Sequence, residues 1–292
     1  MNINKKSINN KVVLISGASQ GLGAHLTRVF CEKGAHVVAF SRNINTLREN
    51  LGSLELEFKP NLNLVKCDVT NDREVDNLIS YTINLYKKID VLINNAGVYG
   101  PMGPIEKLNL AEWKQAFDIN FYGSVNTIIK TLPYFKKNKS GRIIQLSGGG
   151  ATSPLPFITS YASSKAAIVR FVESVALEVK RFNITINAIA PGALNTSMLE
   201  RVLSAGKEKV GEEFYVKALE QKKDGGTPFK YASDLALFLA SDHSYDISGK
   251  LISAVWDNYK IWPNNKQFLN NSDLYTLRRI IGKDRNFDEG DN

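Results

Sequence analysis

Apolar residues in this chain fall into two kinds of segment that take turns along its length. One kind is short and unbroken: residues 11–16 (KVVLIS), 35–42 (AHVVAFSR), 62–69 (LNLVKCDV), 89–97 (IDVLINNAG), 141–147 (GRIIQLS), 183–192 (NITINAIAPG) and 248–256 (SGKLISAVW). Runs of this length without polar alternation predict strands covered on both faces. The other kind is longer and amphipathic, and predicts helices over residues 21–33, 46–58, 72–88 and 109–136, from Tyr161 onward, and at 234–241 (DLALFLAS). Strand and helix in alternation predict an α/β fold. Two stretches break the rhythm. Residues 194–228 are charged and loosely patterned, with Gly206, Gly211, Gly225 and Gly226, and read as either a substrate lid or a mobile insertion. Residues 257–292 are polar, with 274–281 (LYTLRRII) as a short helix and an acidic end. The expected organisation is an arm over 1–10, one domain over 11–256 and an extension over 257–292.

The first strand runs into GASQGLG, which sets Gly17, Gly21 and Gly23 in a strand-to-helix turn, and the helix stops at Gly34. Strand, glycine turn, helix and strand in about thirty residues make a βαβ unit whose helix N-terminus can hold a pyrophosphate. The end of the second strand chooses between dinucleotides. An acid there would bond a ribose 2′-hydroxyl, but this chain has Ser41 and Arg42, and arginine suits a 2′-phosphate. NADP(H) is therefore expected over NAD(H). At the end of the third strand, Asp68 can meet an adenine edge or cap the helix starting near Asn71. At the end of the fourth, Asn94, Asn95, Ala96 and Gly97 leave room for a cofactor and offer hydrogen bonds.

Composition narrows this little. The chain has 292 residues, is 43% hydrophobic and carries a formal charge of +8. Its basic residues are spread out rather than gathered in a block, so nucleic acid is not the expected partner, whereas a positive field helps recruit a phosphate-bearing small molecule. Cys31 and Cys67 make no disulfide framework and no zinc spacing. No signal peptide or membrane-length apolar run stands out, and a reducing cytoplasm is the default expectation.

Candidate chemistry gathers in residues 145–167, QLSGGGATSPLPFITSYASSKAA. Tyr161 and Lys165 stand one helical turn apart on one face. An ammonium near a phenol stabilises the phenolate, which makes the pair a proton donor and acceptor near neutral pH; many such pairs are plain helix surface. Asn120, among apolar residues in its helix, is a structural hydrogen-bond hub or part of a relay.

Taken together, SGASQGLG at 16–23, NNAG at 94–97, Asn120, Tyr161-Ala-Ser-Ser-Lys165 and PGALNT at 191–196 resemble the short-chain dehydrogenase/reductase family, of the classical kind, over residues 11–256. The resemblance implies a Rossmann-type doubly wound, seven-stranded parallel sheet with helices on both faces. It implies hydride transfer between a nicotinamide and a carbonyl or alcohol carbon of a small molecule, with Tyr161 as acid/base. Lys165 would lower the tyrosine's pKa and bond the ribose, and Asn120 would hold a relay water. It further implies that Ser19, Gln20 and Leu22 join the glycines around the cofactor, with Asp68 and Val69 by adenine, Pro191 and Gly192 nearby, and Thr196 by the carboxamide. Homodimers or homotetramers are common in the family.

One position departs. Ungapped counting puts Gly148 where the family has its substrate-orienting serine, and Ser147 is one residue early. Neighbouring side chains in a strand point to opposite faces, although the glycines at 148–150 allow the backbone to bring Ser147 round; Thr152 and Ser153 are other hydroxyls. A truly vacant position predicts faster turnover in Gly148→Ser. The departure also leaves an alternative, a cofactor-binding protein with weak or no catalysis, acting as a redox sensor or partner-binding subunit.

Overall fold

The computed structural model describes residues 7–287, so residues 1–6 of the arm and the acidic end at 288–292 lie outside the described residues. The elements run in the order β1 (Val12–Ser16), α1 (Gly21–Glu32), β2 (His36–Ser41), α2 (Ile44–Glu57), β3 (Leu62–Lys66), α3 (Asp72–Tyr86), β4 (Val91–Asn94), α4 (Leu110–Phe117), α5 (Gly123–Asn138), β5 (Gly141–Leu146), α6 (Thr159–Val179) and β6 (Ile184–Ala190). They continue with α7 (Ser197–Ala205), α8 (Lys207–Val210), α9 (Glu212–Asp224), α10 (Phe229–Ala240), β7 (Leu251–Ser253) and α11 (Lys266–Asn270). The strands form one parallel sheet in the order β3-β2-β1-β4-β5-β6-β7.

Every residue of β1 is buried, because the pleat sends alternate side chains into two separate cores. Val13 and Ile15 join Leu26, Phe30, Leu51 and Leu235 beneath α1, α2 and α10. Leu14 joins Val75, Ile128, Ile168 and Val172 beneath α3, α5 and α6. The unbroken apolar runs are the signature of that double covering. Strand order reverses between β1 and β4, and a crevice opens at their carboxyl ends.

Local signals fix the helix ends. Gly34, at φ +84°, closes α1 in the left-handed region where glycine carries no steric penalty. Asn71 caps α3 by accepting from the backbone of Arg73 and Glu74 at 3.1 and 3.2 Å, whereas Asp68 closes the preceding turn on Thr70. The segment predicted as one helix over 109–136 is continuously helical from Leu110 to Asn138, with a π turn over Asp118–Tyr122 between α4 and α5.

Residues 194–228 hold three helices, α7 to α9, around a small core of Leu199, Val202, Val210 and Ala218. One expectation, the short helix over 274–281, is corrected: these residues form no helix. Tyr275 sits at φ +62°, and the backbone of Leu277 bonds outward to Glu173 and Arg170 on α6 rather than along a helix. No helix among the described residues is long and apolar enough to cross a membrane.

Candidate active site

The glycine turn and the loop after β4 are built against each other. Ser16 Oγ accepts from the backbone of Asn95 and Ala96 at 2.9 and 3.0 Å, and Asn95 Nδ2 donates to the carbonyls of Ser16 and Gly17 at 3.1 and 3.0 Å. Gly17 is required twice over: its φ is +61°, and a Cβ there would lie 2.7 Å from Ala96 Cα. Nothing from a side chain caps the first turn of α1. Its free N–H groups and positive dipole end therefore face the crevice, which fits a pyrophosphate. Across the crevice, Gln20 Nε2 donates to Ser197 Oγ at 2.8 Å, and Thr196 caps α7.

This crevice is part of a cleft of about 750 Å³ at the carboxyl ends of β1, β4, β5 and β6. Of the residues singled out in the sequence, Gln20, Gly21, Leu22, Gly97, Ser147, Tyr161, Lys165, Pro191, Gly192 and Thr196 line it. Gly17, Ser19, Gly23 and Ala96 are not among the residues that line it. Ser41, Arg42, Asp68 and Val69 sit outside it, at the ends of β2 and β3, beyond the glycine turn from the tyrosine. Arg42 is exposed and has no hydrogen bond or ion pair among the described residues, while Ser41 Oγ donates to the carbonyl of Asn43 at 2.9 Å. Asn94 does not face the cleft: it is 2% exposed, with Oδ1 accepting from Thr127 Oγ1 on α5 at 2.8 Å. The pleat gives the cleft to its neighbour Asn95.

Tyr161 and Lys165 share the cleft wall, both buried. Tyr99 meets the Tyr161 ring edge-on, centroids 4.8 Å apart. Lys165 Nζ donates to the Leu146 carbonyl at 2.8 Å and lies 5.5 Å from the centroid of the Tyr161 ring. Asn120 is fully engaged. Its Oδ1 accepts from Val98 N at 2.8 Å, and its Nδ2 donates to the Val98 carbonyl and to Ser164 Oγ, each at 2.9 Å. Ser164 in turn donates to the Tyr161 carbonyl at 2.7 Å, so the asparagine braces the helix that carries the tyrosine. The hub reading describes its side chain. The π turn carrying Asn120 has no sequence signal beyond a buried amide among apolar neighbours.

Electrostatics corrects one expectation for the ligand-free protein. Burial, reinforced by Tyr99, holds the Tyr161 phenol above its ordinary pKa, and burial pulls Lys165 down to about 8. The ammonium is committed to Leu146 and is itself desolvated, so it does not offset the burial of the phenol. A stability consequence follows. The folded pKa of Lys165 lies below its unfolded value of 10.5, so the unfolded chain holds a proton that the folded one releases between pH 8 and 10.5. Stability therefore rises with pH over that window, and the full penalty, about 3 kcal/mol, applies below it. The bond to Leu146 returns only about 1 kcal/mol. Lys165→Met is accordingly expected to raise the melting temperature at pH 7 by a few degrees, with the difference closing toward pH 10.5 in calorimetry. A lower melting temperature at pH 7 would contradict it.

Gly148 is not vacant space. A Cβ built on it would overlap the Tyr161 hydroxyl. Ser147, 4% exposed, lines the cleft, but its Oγ is buried and has no hydrogen-bond partner among the described residues. The tyrosine thus fills the room a side chain at 148 would take, and an unpartnered hydroxyl lies one residue away. Sequence reasoning also missed Tyr99, Trp256, Asp257, Tyr275 and Thr276, all in the lining. Their positions depend on tertiary packing, and no local motif marks them.

Comparison with known proteins gives a consistent result. The family described as short chain dehydrogenase matches residues 11–206. A 2,3-dihydro-2,3-dihydroxybenzoate dehydrogenase from Bacillus subtilis (strain 168) is 31% identical over 252 residues, 84% of this chain and 95% of that protein. A 7alpha-hydroxysteroid dehydrogenase from Escherichia coli (strain K12) is 28% identical over 247 residues, 84% of this chain and 93% of that one. Among solved structures, a 7α-hydroxysteroid dehydrogenase complexed with NADH and 7-oxo glycochenodeoxycholic acid superposes with a TM-score of 0.75 at 28% identity, covering 87% of this chain and 96% of the other. Levodione reductase, at 24% identity and a TM-score of 0.76, covers 86% of this chain and 98% of its own and supports the fold.

Proposed function

The chain belongs to the short-chain dehydrogenase/reductase family of NAD(P)-dependent oxidoreductases acting on CH–OH groups, and on that premise we propose that it is an NADP(H)-preferring reductase of a ketone on a small, largely apolar body. The observation that carries this reading is the shared cleft. Tyr161 and Lys165 line the same cavity as the uncapped start of α1, and apolar side chains of Tyr99, Leu155, Leu199, Val202 and Phe214 line much of the rest, beside polar Lys217, Gln221 and Asp257. The relatives named for cyclic alcohols and ketones agree with such a body. Bound in the crevice, the cofactor supplies or takes up the hydride at its nicotinamide.

Each residue then has a task. Gly17, Ser19, Gln20, Gly21, Leu22 and Gly23 form the pyrophosphate turn; Ser41 and Arg42 receive the 2′-phosphate, and Asp68 and Val69 flank the adenine. Asn94, Ala96 and Gly97 shape the floor, with Asn94 acting from behind it, and Pro191, Gly192 and Thr196 close the nicotinamide end. Tyr161, protonated at neutral pH through burial, gives its proton to the substrate oxygen as the alcohol forms. Lys165 holds the ribose and supports the phenolate left behind, Asn120 fixes the Tyr161 helix, and Ser147 orients the substrate oxygen by turning its buried, unpartnered Oγ to the cleft. Homodimers or homotetramers in the cytoplasm complete the reading; Tyr122, Ile129 and Leu177, exposed around α5 and α6, are suited to such a contact. A sensor without catalysis is not favoured, since the relatives are named as dehydrogenases and reductases.

The test is oxidation of NADPH by the purified protein against a panel of cyclic ketones. Turnover of any member supports the proposal, and tight cofactor binding with none turned over defeats it. The 2′-phosphate role is tested separately. Arg42→Ala is expected to weaken NADPH binding about tenfold or more, as loss of a charge-assisted contact does, with NADH affinity nearly unchanged in a fluorescence titration. Equal losses for both cofactors would remove Arg42 from that role.

A further inference from the structure

The extension after β7 returns to the sheet and becomes part of the cleft. The Tyr275 carbonyl accepts from Leu251 N at 2.8 Å, taking the free edge of β7. Lys250, 4% exposed, donates to the carbonyls of Ser272 and Leu274 at 3.1 and 2.9 Å. The Tyr275 ring lies 4.5 Å from that of buried Trp262, and Glu173 on α6 accepts from Leu277 N at 2.6 Å. Held at these points, the segment presents Tyr275 and Thr276 to the cleft opposite Trp256 and Asp257. A non-glycine residue at φ +62° persists only where its surroundings over-determine it, and here they do.

Asp257 is the unusual member of this wall. Its Oδ2 accepts from Ser253 N at 2.7 Å, and its Oδ1 has no partner among the described residues. Among the described residues no lysine or arginine forms an ion pair with it, and burial raises its pKa. A half-buried carboxylate with one free oxygen on a cavity gains from a donor arriving with the ligand. A hydroxyl fits better than an ammonium, because Lys217 lines the same cleft and the chain carries a charge of +8.

We propose that residues 256–277 form the substrate-selecting wall of the cleft, in which Asp257 accepts a hydrogen bond from a hydroxyl that the substrate carries besides the reacting oxygen. This rests on the oxidoreductase reading above and adds the substrate class, a hydroxylated cyclic alcohol or ketone. Asp257→Asn is the informative change. The amide oxygen keeps the bond from Ser253, so the cleft meets a neutral NH₂ in place of a charged acceptor, and the substrate hydroxyl loses its charge-assisted bond. Affinities of trans-1,2-cyclohexanediol and cyclohexanol for the full chain with NADP⁺ are read by saturation-transfer NMR. The wild type is expected to prefer the diol, and Asp257→Asn to lose about tenfold or more of that preference. Equal affinities in the wild type, or a diol preference unchanged in the variant, overturn the proposal. If Asp257→Asn does not fold, Asp257→Ser, which removes the carboxylate and keeps a hydroxyl near Ser253, is read by the same criteria. Oxidation of the same alcohols, in wild type and Tyr161→Phe, reports on the reaction separately. A preference that depends on Asp257 without turnover defeats the reaction alone, and turnover without that dependence defeats this assignment alone.

Discussion

Tyr161→Phe is expected to lower ketone reduction by a factor on the order of 10²–10⁴ while the protein still binds NADPH. The size of the effect comes from the hydroxyl being the proton donor on the cleft wall, held in place by a buried ring, by Tyr99 at 4.8 Å and by the Asn120–Ser164 brace. The specificity of the change comes from what the hydroxyl does not do. It makes no hydrogen bond to the described protein, so phenylalanine keeps the packing and leaves no partner stranded. Single-turnover reduction with bound NADPH separates the two effects: slow chemistry with normal cofactor binding is the expected pattern. Retention of most of the activity would move the acid role to another group.

Gly148→Ser is the second large effect, and its sign is the reverse of the one the alignment of motifs suggests. A vacant serine position would gain from a serine. In the structure the Cβ of residue 148 would collide with the Tyr161 hydroxyl, and that ring is too well packed to yield freely. Displacing a catalytic group by as little as 1 Å can cost on the order of 10²-fold in rate, and a loss of that order is expected in kcat. Gly149→Ser is the control, since a Cβ there has nothing within 4 Å and should be tolerated. Ser147→Ala should also slow the reaction, because Ser147 then holds the hydroxyl the family has one residue later. A faster Gly148→Ser enzyme would show that the tyrosine moves aside at no cost.

The strands were legible chiefly because β1, β4 and β5 are buried throughout, and β2 and β6 nearly so, which leaves their apolar runs unbroken, whereas β3 and β7 are only partly covered. The glycine turn was legible because φ values of +61° and +55° at Gly17 and Gly21, and close approach at Gly17, demand that residue type. Less could be read where position depends on contacts distant in sequence. Whether Asn94 or Asn95 faces the cleft turns on the pleat and on Thr127, thirty-three positions away. Helices α7 to α9 enclose a core of four fully buried side chains, too few to impose a clear period on 194–228. The tail carries no helix because its backbone groups are claimed by Leu251, Glu173 and Arg170. Spacing put Tyr161 and Lys165 on one helical face, and the motifs around them singled the pair out. Their protonation was not legible, because spacing does not report how deeply a group is buried.

Residues 272–277 also set a timetable for assembly. Strands β1 to β6 and the tyrosine helix can pack as soon as they leave the ribosome, since domains are generally built from the N-terminal side. The edge of β7 and the charge of Lys250 wait until Ser272, Leu274 and Tyr275 arrive to receive them. A nascent chain stopped at residue 260 would therefore hold the acid, its lysine and the glycine turn, yet carry an open sheet edge and a cleft lacking one wall. On the roles proposed above, the wall that selects a substrate is completed later in synthesis than the proton donor that serves its reduction.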